Sequence, residues 1–504
     1  MVKIIHVLRV QATKQVWDIY AYLITFLVCL FPLLLVIWRQ TLHVPFFALS
    51  ADDFARTLSA WDVTRGRIIP SDLWPPLQFW VEALVLQLYP HLLSVPYIVN
   101  VFASTGTVAC LVLLGYLLGL SRATLLLQCI LIVSIPWFIW LSLSGLAEPL
   151  FFMCIALTYV GIAAWQAHHH YWGIWVAALS LLAAGMVRFD GWGYSVVFSL
   201  ALFWYWWRST RPRPHVWLLA ATIPWIFPVL WLAYNAVKYQ NPLYFSEVIR
   251  NYILATQGAQ TLSTRLLEQP RDLWTVAGIT VPFGVVGLWL LYRRPGVTLL
   301  SIMWLASFVF LVLNSITYTT ASHDTARLVV IHALLLTPSA ACTLLWIAGR
   351  HRVVAIVVGA TVAILVMFRL IQVPLYPRGM PDDVMKVGQH IGELRTLGQI
   401  QSHDRILIEV LFWDYVELHV LTNDPGAVIF DRSPTLVIAP DGKRTLDDTT
   451  NPSILALAPA QLHDELKCRD VHLVVAYSDR AVRNLRSIAK ETLHAGRFRV
   501  FVLS

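Results

Sequence analysis

Charged residues are scarce in this chain. Only 13% of its 504 residues are Asp, Glu, Lys or Arg, and 58% are hydrophobic, whereas about 25% charge is usual in a soluble domain. Together with a mean hydropathy of +0.65, this scarcity excludes an ordinary soluble protein as the class of the whole chain. It predicts a surface that largely faces lipid. The 22 Trp and 18 Tyr fit the same prediction, because such rings gather at membrane interfaces.

Cysteine is scarce too, and the positions of the six cysteines do not suggest a set of disulfide bonds. One of them, Cys468, is alone in the polar C-terminal part, and the others lie in apolar stretches: Cys29, Cys110, Cys129, Cys154 and Cys342. No disulfide pattern and no Cys/His metal spacing can be built from them. The sequence also lacks internal repeats and low-complexity segments, and no Gly-rich phosphate loop opens a predicted helix of the polar C-terminal part, so a nucleotide site there has no support.

The basic excess lies in the apolar part of the chain. Residues 375–504 hold 15 basic and 17 acidic residues, a net of −2, so the first 374 residues hold 22 and 12, a net of +10. Membrane topology alone accounts for such an excess, so the pI near 9.2 does not require nucleic acid as a partner.

Apolar runs long enough to cross about 30 Å of hydrocarbon predict about eleven transmembrane helices. They lie near 19–38, 95–120, 123–143, 147–166, 172–187, 193–207, 216–236, 274–292, 297–313, 328–348 and 353–373. No small-residue cleavage site follows the first run, so we expect it to remain as the first span.

Basic residues set the predicted orientation. With a cytoplasmic N-terminus, eleven basic residues and one acidic residue, Asp18, face the cytoplasm, whereas the other loops of the membrane part hold eleven of each sign. This is the positive-inside asymmetry. The cytoplasmic basic residues would be Lys3, Arg9, Lys14, Arg122, Arg208, Arg211, Arg213, Arg293, Arg294, Arg350 and Arg352. An odd number of spans then predicts that the C-terminus lies on the extracytoplasmic side of the plasma membrane.

The sequence therefore predicts a polytopic α-helical membrane domain over 1–374 and an extracytoplasmic α/β domain over 375–504. In the second, strands are predicted at 405–410, 472–477 and 497–502, and helices at 382–399, 457–468 and 479–494. In the first outer loop, 77–88 has apolar residues on one helical face. It is either a helix lying in the interface or the beginning of the next span.

Ionisable residues near lipid are costly and mark functional sites. Under this topology most of them gather at the outer face, from four separate segments. They are Asp52, Asp53, Arg56, Glu148, Arg188, Asp190, His323, Asp324 and Arg327. We predict that at least Asp52, Glu148, Arg188 and Arg327 converge in one cavity.

Two adjacent acids follow the first span in Ser50-Ala-Asp-Asp53. Asp53 fits a helix-capping box with Ser50, which competes with a functional role. Helix capping explains Asp52 less well. We therefore predict that Asp52 is a general base, which takes the proton from the hydroxyl group of an acceptor substrate.

The other outer residues also admit structural explanations. Arg188 is either a surface partner of Asp190 or a ligand of a phosphate oxygen, and Arg327 is either a surface arginine or a bidentate phosphate clamp. Glu148 either binds acceptor or metal or stabilises a helix N-terminus. The run 168–170 of three His lies on a predicted cytoplasmic turn, where a metal role has little support.

These features resemble the GT-C membrane glycosyltransferases, which include protein O-mannosyltransferases and the aminoarabinose transferase acting on lipid A. The acidic pair followed by Trp74-Pro-Pro-Leu-Gln-Phe-Trp80 resembles the first outer loop of this superfamily. Arg188-Phe-Asp-Gly191 is similar to an Arg-Pro-Asp/Glu-Gly stretch of bacterial members, with Phe189 in place of Pro. Asn241-Pro-Leu-Tyr-Phe245 is similar to a Gly-x-Pro segment, without its Gly. The likeness covers about 1–350.

The resemblance implies an inverting transfer of a sugar from a polyprenyl-phosphate donor to a hydroxyl of a lipid, glycan or protein. Asp52 matches the first acidic position, which is the base, and Asp53 the second, which is more often Glu. Arg327 matches a basic residue that contacts the donor phosphate, and Arg188 would assist it. Substrate-binding positions would be Glu148, Asp190, His323, Asp324, Trp74 and Tyr244. The transfer would be metal-independent or assisted by a divalent metal.

Two other classes remain open. A transporter or flippase of a lipid-linked or small polar substrate would favour repeats and ionisable groups near the bilayer midplane. A non-catalytic membrane scaffold would also carry a soluble domain on a membrane base, but it should tolerate the loss of Asp52.

Overall fold

A computed structural model describes residues 50–208, 215–294, 296–319, 325–350, 352–372, 382–401, 403–410, 414–433, 436–438, 444–446 and 452–503. The predicted first span lies outside these residues, and so do His323 and Asp324 of the predicted site.

Helices dominate up to residue 372. In chain order they are α1 Asp52–Thr64, α2 Leu77–Leu88, α3 Val95–Leu117, α4 Arg122–Val133, α5 Pro136–Ser142, α6 Glu148–His168, α7 Trp172–Val187, α8 Asp190–Arg208, α9 His215–Thr222, α10 Ile226–Tyr239, α11 Tyr244–Gln257, α12 Leu262–Ala277, α13 Thr280–Leu291, α14 Val297–Ile316, α15 Val330–Ala348 and α16 Arg352–Gln372. A short 3-10 helix, Ile223–Trp225, joins α9 to α10, and another, Thr325–Val329, leads into α15.

The chain is a multi-pass membrane protein. Among the described residues, five helical stretches are long and apolar enough to cross a bilayer: Val95–Leu117, Glu148–His168, His215–Tyr239, Val297–Ile316 and Thr325–Ala348. Counting two bent pairs as spans raises the number to seven. The predicted count of about eleven is therefore not confirmed.

Two predicted spans are broken helices. The run predicted as a span over 274–292 contains such a break, because α12 ends at Ala277 and α13 continues at 95° to it. The break falls at Gly278, whose φ of +51° a residue with a side chain rarely adopts. In the run 123–143, α4 and α5 meet at 69°. There Ile135 is extended before Pro136, since a residue preceding proline disfavours the helical conformation.

The helix predicted over 77–88 is confirmed as α2. A separate helix begins at Val95, so the alternative that α2 begins the next span is wrong. Its polar Gln78 and Glu82 are buried, whereas Leu84 and Leu88 are 63% and 82% exposed. Exposed apolar and buried polar side chains are the reverse of a helix on a soluble protein, and they favour a helix whose outer face meets lipid.

Contacts divide the described residues into two compact units. The first contains Ser71–Gln78 and the helices from Ile98 to residue 372. The second contains residues 50–70, Phe79–Tyr97 and the residues from 382 onward. The predicted division at residue 374 remains a prediction.

In the first unit, α6 and α7 pack closely as an antiparallel pair. A Cβ added at Gly161 of α6 would lie 2.5 Å from the carbonyl oxygen of Gly173 in α7, so the two backbones touch where neither residue has a side chain. Helix α15 is buried along most of its length. Large apolar side chains point outward elsewhere, as at Trp289, Leu305 and Val353. This is the distribution expected for helices surrounded by lipid.

In the second unit, a five-stranded sheet carries the core. Its strands are β1 Arg405–Ile408, β2 Val428–Phe430, β5 Val471–Ala476, β6 Lys490–Ala495 and β7 Phe498–Val502, in the order β2-β1-β5-β7-β6, with a separate hairpin of β3 Leu436–Ile438 and β4 Arg444–Leu446. The pairs β2–β1 and β1–β5 are parallel, and β5–β7 and β7–β6 are antiparallel. The helices of this part are α17 Asp382–Thr396, α18 Asp414–Leu421, α19 Pro459–Cys468 and α20 Asp479–Leu485. Leu407, Val474 and Phe501 pack with the side chains of α19 and α20.

The helix predicted over 479–494 is wrong in its second half. Helix α20 ends at Leu485, and β6 forms an edge strand that turns at Gly496 into β7. Gly496 has a φ of +55°, the left-handed conformation that favours glycine in a tight turn. Pairing with β7 thus overrides the local helical pattern.

Candidate active site

Glu148 and Arg188 lie at the same end of two adjacent helices. Glu148 is the first residue of α6, and Arg188 directly follows the last residue of α7, so the antiparallel pair brings both to one end. Arg188 Nη1 donates to Glu148 Oε1 at 2.7 Å. Arg188 Nε and Nη2 lie 2.9 and 2.8 Å from Asp190 Oδ2. The guanidinium is therefore oriented by two carboxylates.

The tight turn from α7 to α8 explains the spacing of this motif. Arg188 is extended, and a Cβ added at Gly191 would lie 2.7 Å from the backbone nitrogen of Gly185. Only glycine permits this approach. Phe189 packs its ring on that of Phe245, with 4.3 Å between the ring centroids. The turn thus points Arg188 and Asp190 toward each other and Phe189 into an aromatic cluster.

Arg327 reaches Glu148 from a third segment. It lies in the 3-10 helix Thr325–Val329, just before α15, and its Nε is 3.3 Å from Glu148 Oε1. One carboxylate oxygen is thus approached by two guanidinium groups. Of the predicted site residues, the structure brings Glu148, Arg188, Asp190 and Arg327 together in the first unit.

These charges are largely removed from solvent. The side chains of Glu148, Arg327 and Arg188 are 2%, 6% and 10% exposed, and that of Asp190 is 23% exposed. Burying ions costs several kcal/mol each unless partners compensate, and here two cations meet two carboxylates. The arrangement holds two guanidinium groups beside a shared carboxylate. Such groups recognise phosphate or carboxylate oxygens with directional hydrogen bonds.

Asp52 and Asp53 begin α1 in the second unit and differ in their surroundings. Asp53 is 1% exposed, and its Oδ2 accepts a hydrogen bond from the Ser50 backbone nitrogen at 2.9 Å. The helix begins at Asp52 with Ala51 as its N-cap, so the predicted cap at Ser50 is wrong, although the carboxylate half of the capping box is present. Asp52 is only partly buried. That Asp52 converges with the arginine cluster stays a prediction.

Tyr244 belongs to a second polar cluster, which sequence reasoning missed. Its ring stacks on that of Tyr239 at 3.7 Å. The Asp72 carboxylate accepts hydrogen bonds from Lys238 Nζ at 2.6 Å, from Tyr234 at 2.8 Å and from the Tyr239 hydroxyl. Burial of Asp72 alone would raise its pKa, but these donors hold the pKa of the carboxyl below its usual range. No local sequence pattern indicates this cluster, because Asp72 resembles any other acidic residue in a loop.

Trp74 lies in the same segment as Asp72. Its backbone nitrogen donates to Ser71 Oγ at 3.1 Å, which tightens the turn before Pro75 and Pro76. The substrate-binding roles of Trp74 and Tyr244 remain predictions.

No group of three or more His, Cys, Asp or Glu side chains suited to a metal ion occurs among the described residues. The rings of His168 and His170 stack at 6.0 Å, and His170 stacks on Trp172 at 5.9 Å. The rings of His168, His170 and Trp172 thus form an exposed stack between α6 and α7.

The chain shares its fold with the GT-C membrane glycosyltransferases. Among solved structures, it resembles ArnT from Cupriavidus metallidurans bound to undecaprenyl phosphate, with a TM-score of 0.59 and 12% identity over 96% of this chain and 97% of that one. Apo ArnT gives a TM-score of 0.56 and 12% identity over 97% and 98%. The apo oligosaccharyltransferase of Archaeoglobus fulgidus aligns with a TM-score of 0.46 and 12% identity, over 92% of this chain and 70% of that one. No family model and no curated protein matches the sequence. At a sequence identity this low, the structural similarity establishes a shared fold and not a shared function.

Proposed function

We propose that the protein is an integral-membrane glycosyltransferase. It transfers a sugar from a polyprenyl-phosphate donor to an acceptor hydroxyl of a lipid, glycan or protein at the outer face of the plasma membrane. The observation that carries the proposal is the buried Glu148 carboxylate between Arg188 and Arg327, at one end of membrane helices with a GT-C fold. The similarity to ArnT bound to undecaprenyl phosphate supports a lipid phosphate as the donor's leaving group.

Arg327 binds the donor phosphate in this proposal. It lies at the entrance of α15, where its Nε is 3.3 Å from Glu148 Oε1. Arg188 assists: a guanidinium has five N–H donors, and its contacts to Glu148 and Asp190 fix its plane for a further phosphate oxygen. As the bond between the sugar and the phosphate oxygen breaks, negative charge grows on that oxygen, and the arginines stabilise it.

Asp52 is the general base. It removes the proton of the acceptor hydroxyl as that oxygen bonds to the anomeric carbon of the sugar from the face opposite the phosphate, which inverts the configuration. The lipid phosphate leaves with the electron pair of the broken bond. Asp53, buried and bonded to the backbone of Ser50, fixes the start of α1 so that Asp52 keeps its position.

Substrate contacts are assigned to Glu148, Asp190, His323, Asp324, Trp74 and Tyr244. The extracytoplasmic placement of the C-terminal α/β domain belongs to the same proposal and is supported by the positive-inside asymmetry together with the predicted odd number of spans.

The test uses purified full-length protein in proteoliposomes. Polyprenyl-phosphate sugars with a labelled sugar are supplied, and both free polyprenyl phosphate and labelled acceptor are measured. A glycosyltransferase cleaves the donor and produces the two in equal amounts. Movement of intact donor across the bilayer without cleavage would instead establish a transporter. If the donor is neither cleaved nor moved with a range of donors and acceptors, a non-catalytic scaffold is the remaining class.

A further inference from the structure

A short connector between α5 and α6 ends at Glu148. Residues 143–147 have no regular structure, and Leu143, Ser144, Leu146 and Ala147 are at most 2% exposed. A buried backbone outside helices and sheets must still pair its carbonyl groups. The carbonyl oxygens of this connector therefore need donors from elsewhere in the fold.

Two buried side-chain amides supply these donors. Asn100 Nδ2, on α3, donates to the carbonyl oxygens of Ser144 at 2.6 Å and Leu146 at 2.8 Å. Gln78 Nε2, on α2, donates to that of Gly145 at 2.9 Å. Both amide side chains belong to residues that are 0% exposed. Three successive carbonyls are thus held by two residues that are distant in sequence.

The connector transmits this restraint to Glu148. Only Ala147 separates the bonded carbonyl of Leu146 from Glu148, and Pro149 follows, whose ring fixes its own φ and restricts the residue before it. The backbone at Glu148 consequently has little freedom. Its carboxylate must reach Arg188 at 2.7 Å and Arg327 at 3.3 Å, so a shift of the connector would open one contact or both.

We infer that Gln78 and Asn100 are positioning residues of the candidate active site. Their amide groups hold the backbone of residues 144–146 so that Glu148 keeps its place between the two arginines. The effect on sugar transfer rests on the proposed function. The coupling to Glu148 is a property of the fold and stands without it.

The test removes the donors with little change of shape. Gln78→Glu and Asn100→Asp replace each amide nitrogen by an oxygen. The chain offers matched controls in Gln128→Glu and Asn235→Asp. Gln128 Nε2 donates to the Leu111 carbonyl oxygen at 2.8 Å and Asn235 Nδ2 to that of Trp231 at 2.9 Å, and both residues are 0% exposed. All four variants therefore lose a buried amide donor to a backbone carbonyl.

We expect lower thermal stability in all four variants but a loss of transfer only in the first two. A displacement of a catalytic group by about 1 Å can cost about 10²-fold in rate, so kcat in Gln78→Glu and Asn100→Asp should fall by about that factor. The controls should keep the wild-type kcat. Equal kcat values in test and control variants would show that the two amides only stabilise the fold.

A second measurement does not depend on activity. Thermal unfolding is measured for Asn100→Asp, Glu148→Gln and the double variant, and for the matching set with Asn235→Asp. We expect non-additive shifts in melting temperature in the first set and additive shifts in the second, since coupled residues depart from additivity. Additivity in both sets would overturn the inference. If Asn100→Asp does not fold, Gln78→Met takes its place.

An inactive wild type would refute the proposed function alone, because the unfolding measurements still decide whether the amides position Glu148.

Discussion

The Glu148 carboxylate lies 3.3 Å from Arg327 Nε, although the two residues belong to distant segments of the chain. Arg188 contacts the same carboxylate oxygen at 2.7 Å. One buried acid thus joins the start of α6, the end of α7 and the entrance of α15. Removing its charge should therefore weaken the packing of these three segments.

Glu148→Gln should destabilise the protein strongly. The amide keeps the shape but removes the negative charge, which takes one of its two carboxylate partners from Arg188 and the Glu148 carboxylate from the buried Arg327. Breaking a buried ion pair by removing one partner typically costs about 3–5 kcal/mol. Thermal unfolding of the purified protein measures the effect. Asp190→Asn is the matched control: its carboxylate is more exposed, so the loss should be smaller. Equal losses would show that Glu148 does not bridge the arginines.

Arg327→Lys should weaken binding of undecaprenyl phosphate. Lysine keeps the charge but not the two-pronged geometry. Losing one charge-assisted hydrogen bond of about 1.5–3 kcal/mol corresponds to about 10- to 100-fold in Kd. Arg271→Lys, changed at an exposed position of α12, serves as control and should bind as wild type does. Unchanged binding by Arg327→Lys would remove Arg327 from the phosphate site.

The pH dependence of stability should respond in opposite directions to two glutamates near the sheet. Glu409 Oε2 accepts from the backbone nitrogens of Tyr477 at 2.7 Å and Ser478 at 3.1 Å, but burial raises the pKa of its carboxyl. For Glu491, burial acts in the same direction, yet hydrogen bonds from Arg499 and Arg486 hold its pKa below the usual range.

The fold thus binds a proton more tightly at Glu409 and less tightly at Glu491 than the unfolded chain does. The stabilising contribution of Glu409 to the free energy of unfolding is present below its pKa in the unfolded chain. It is lost as the pH rises through its pKa in the folded protein. The contribution of Glu491 is present above the unfolded pKa and is lost as pH falls. Glu409→Gln should therefore raise the melting temperature at pH about 7, and Glu491→Gln should lower it. Both differences should shrink toward pH about 4. Shifts of the same sign at neutral pH would contradict this assignment.

Membrane topology makes a fourth prediction. A tag after Ser504 should react with a membrane-impermeant reagent in intact cells, and a tag after Met1 should not. The physical reason is the clustering of basic residues in the loops predicted to be cytoplasmic. Both tags on the same side would mean an even number of spans, and the arginine cluster would then have to be reassigned to a membrane face.

Sequence patterns predicted two kinds of feature: elements that follow a local periodicity, and charged residues whose placement near lipid costs free energy. Helix α2 was predicted with its observed bounds because its apolar spacing is regular, and strands β1, β5 and β7 follow runs of apolar β-formers. The residues Glu148, Arg188 and Arg327 were found because charge near lipid is costly. The predicted topology brought them to one face, but the contact of both arginines with one oxygen of Glu148 depends on which helices become neighbours.

Other features left no local signal. The bend at Gly278 depends on one backbone dihedral within an apolar run. The role of Asn100 follows from a buried connector 44 residues further along the chain, and an amide inside an apolar helix resembles many others. Asp72 was missed for the same reason: its donors on α10 follow about 160 residues later.

The central claim is tested most directly by the rate of sugar transfer from a polyprenyl-phosphate donor by Asp52→Asn in nanodiscs. Asparagine keeps the shape but cannot take the acceptor's proton. Loss of a general base costs about 10²–10⁴-fold, which is about 3–5 kcal/mol of barrier. Asp53→Asn should lose less, because its amide oxygen still accepts the Ser50 N–H. Asp62→Asn, on the same helix with a surface partner in Arg67, should transfer at the wild-type rate. The account predicts a folded Asp52→Asn protein that binds the lipid phosphate and transfers at least about 10²-fold more slowly; transfer at the wild-type rate would contradict it.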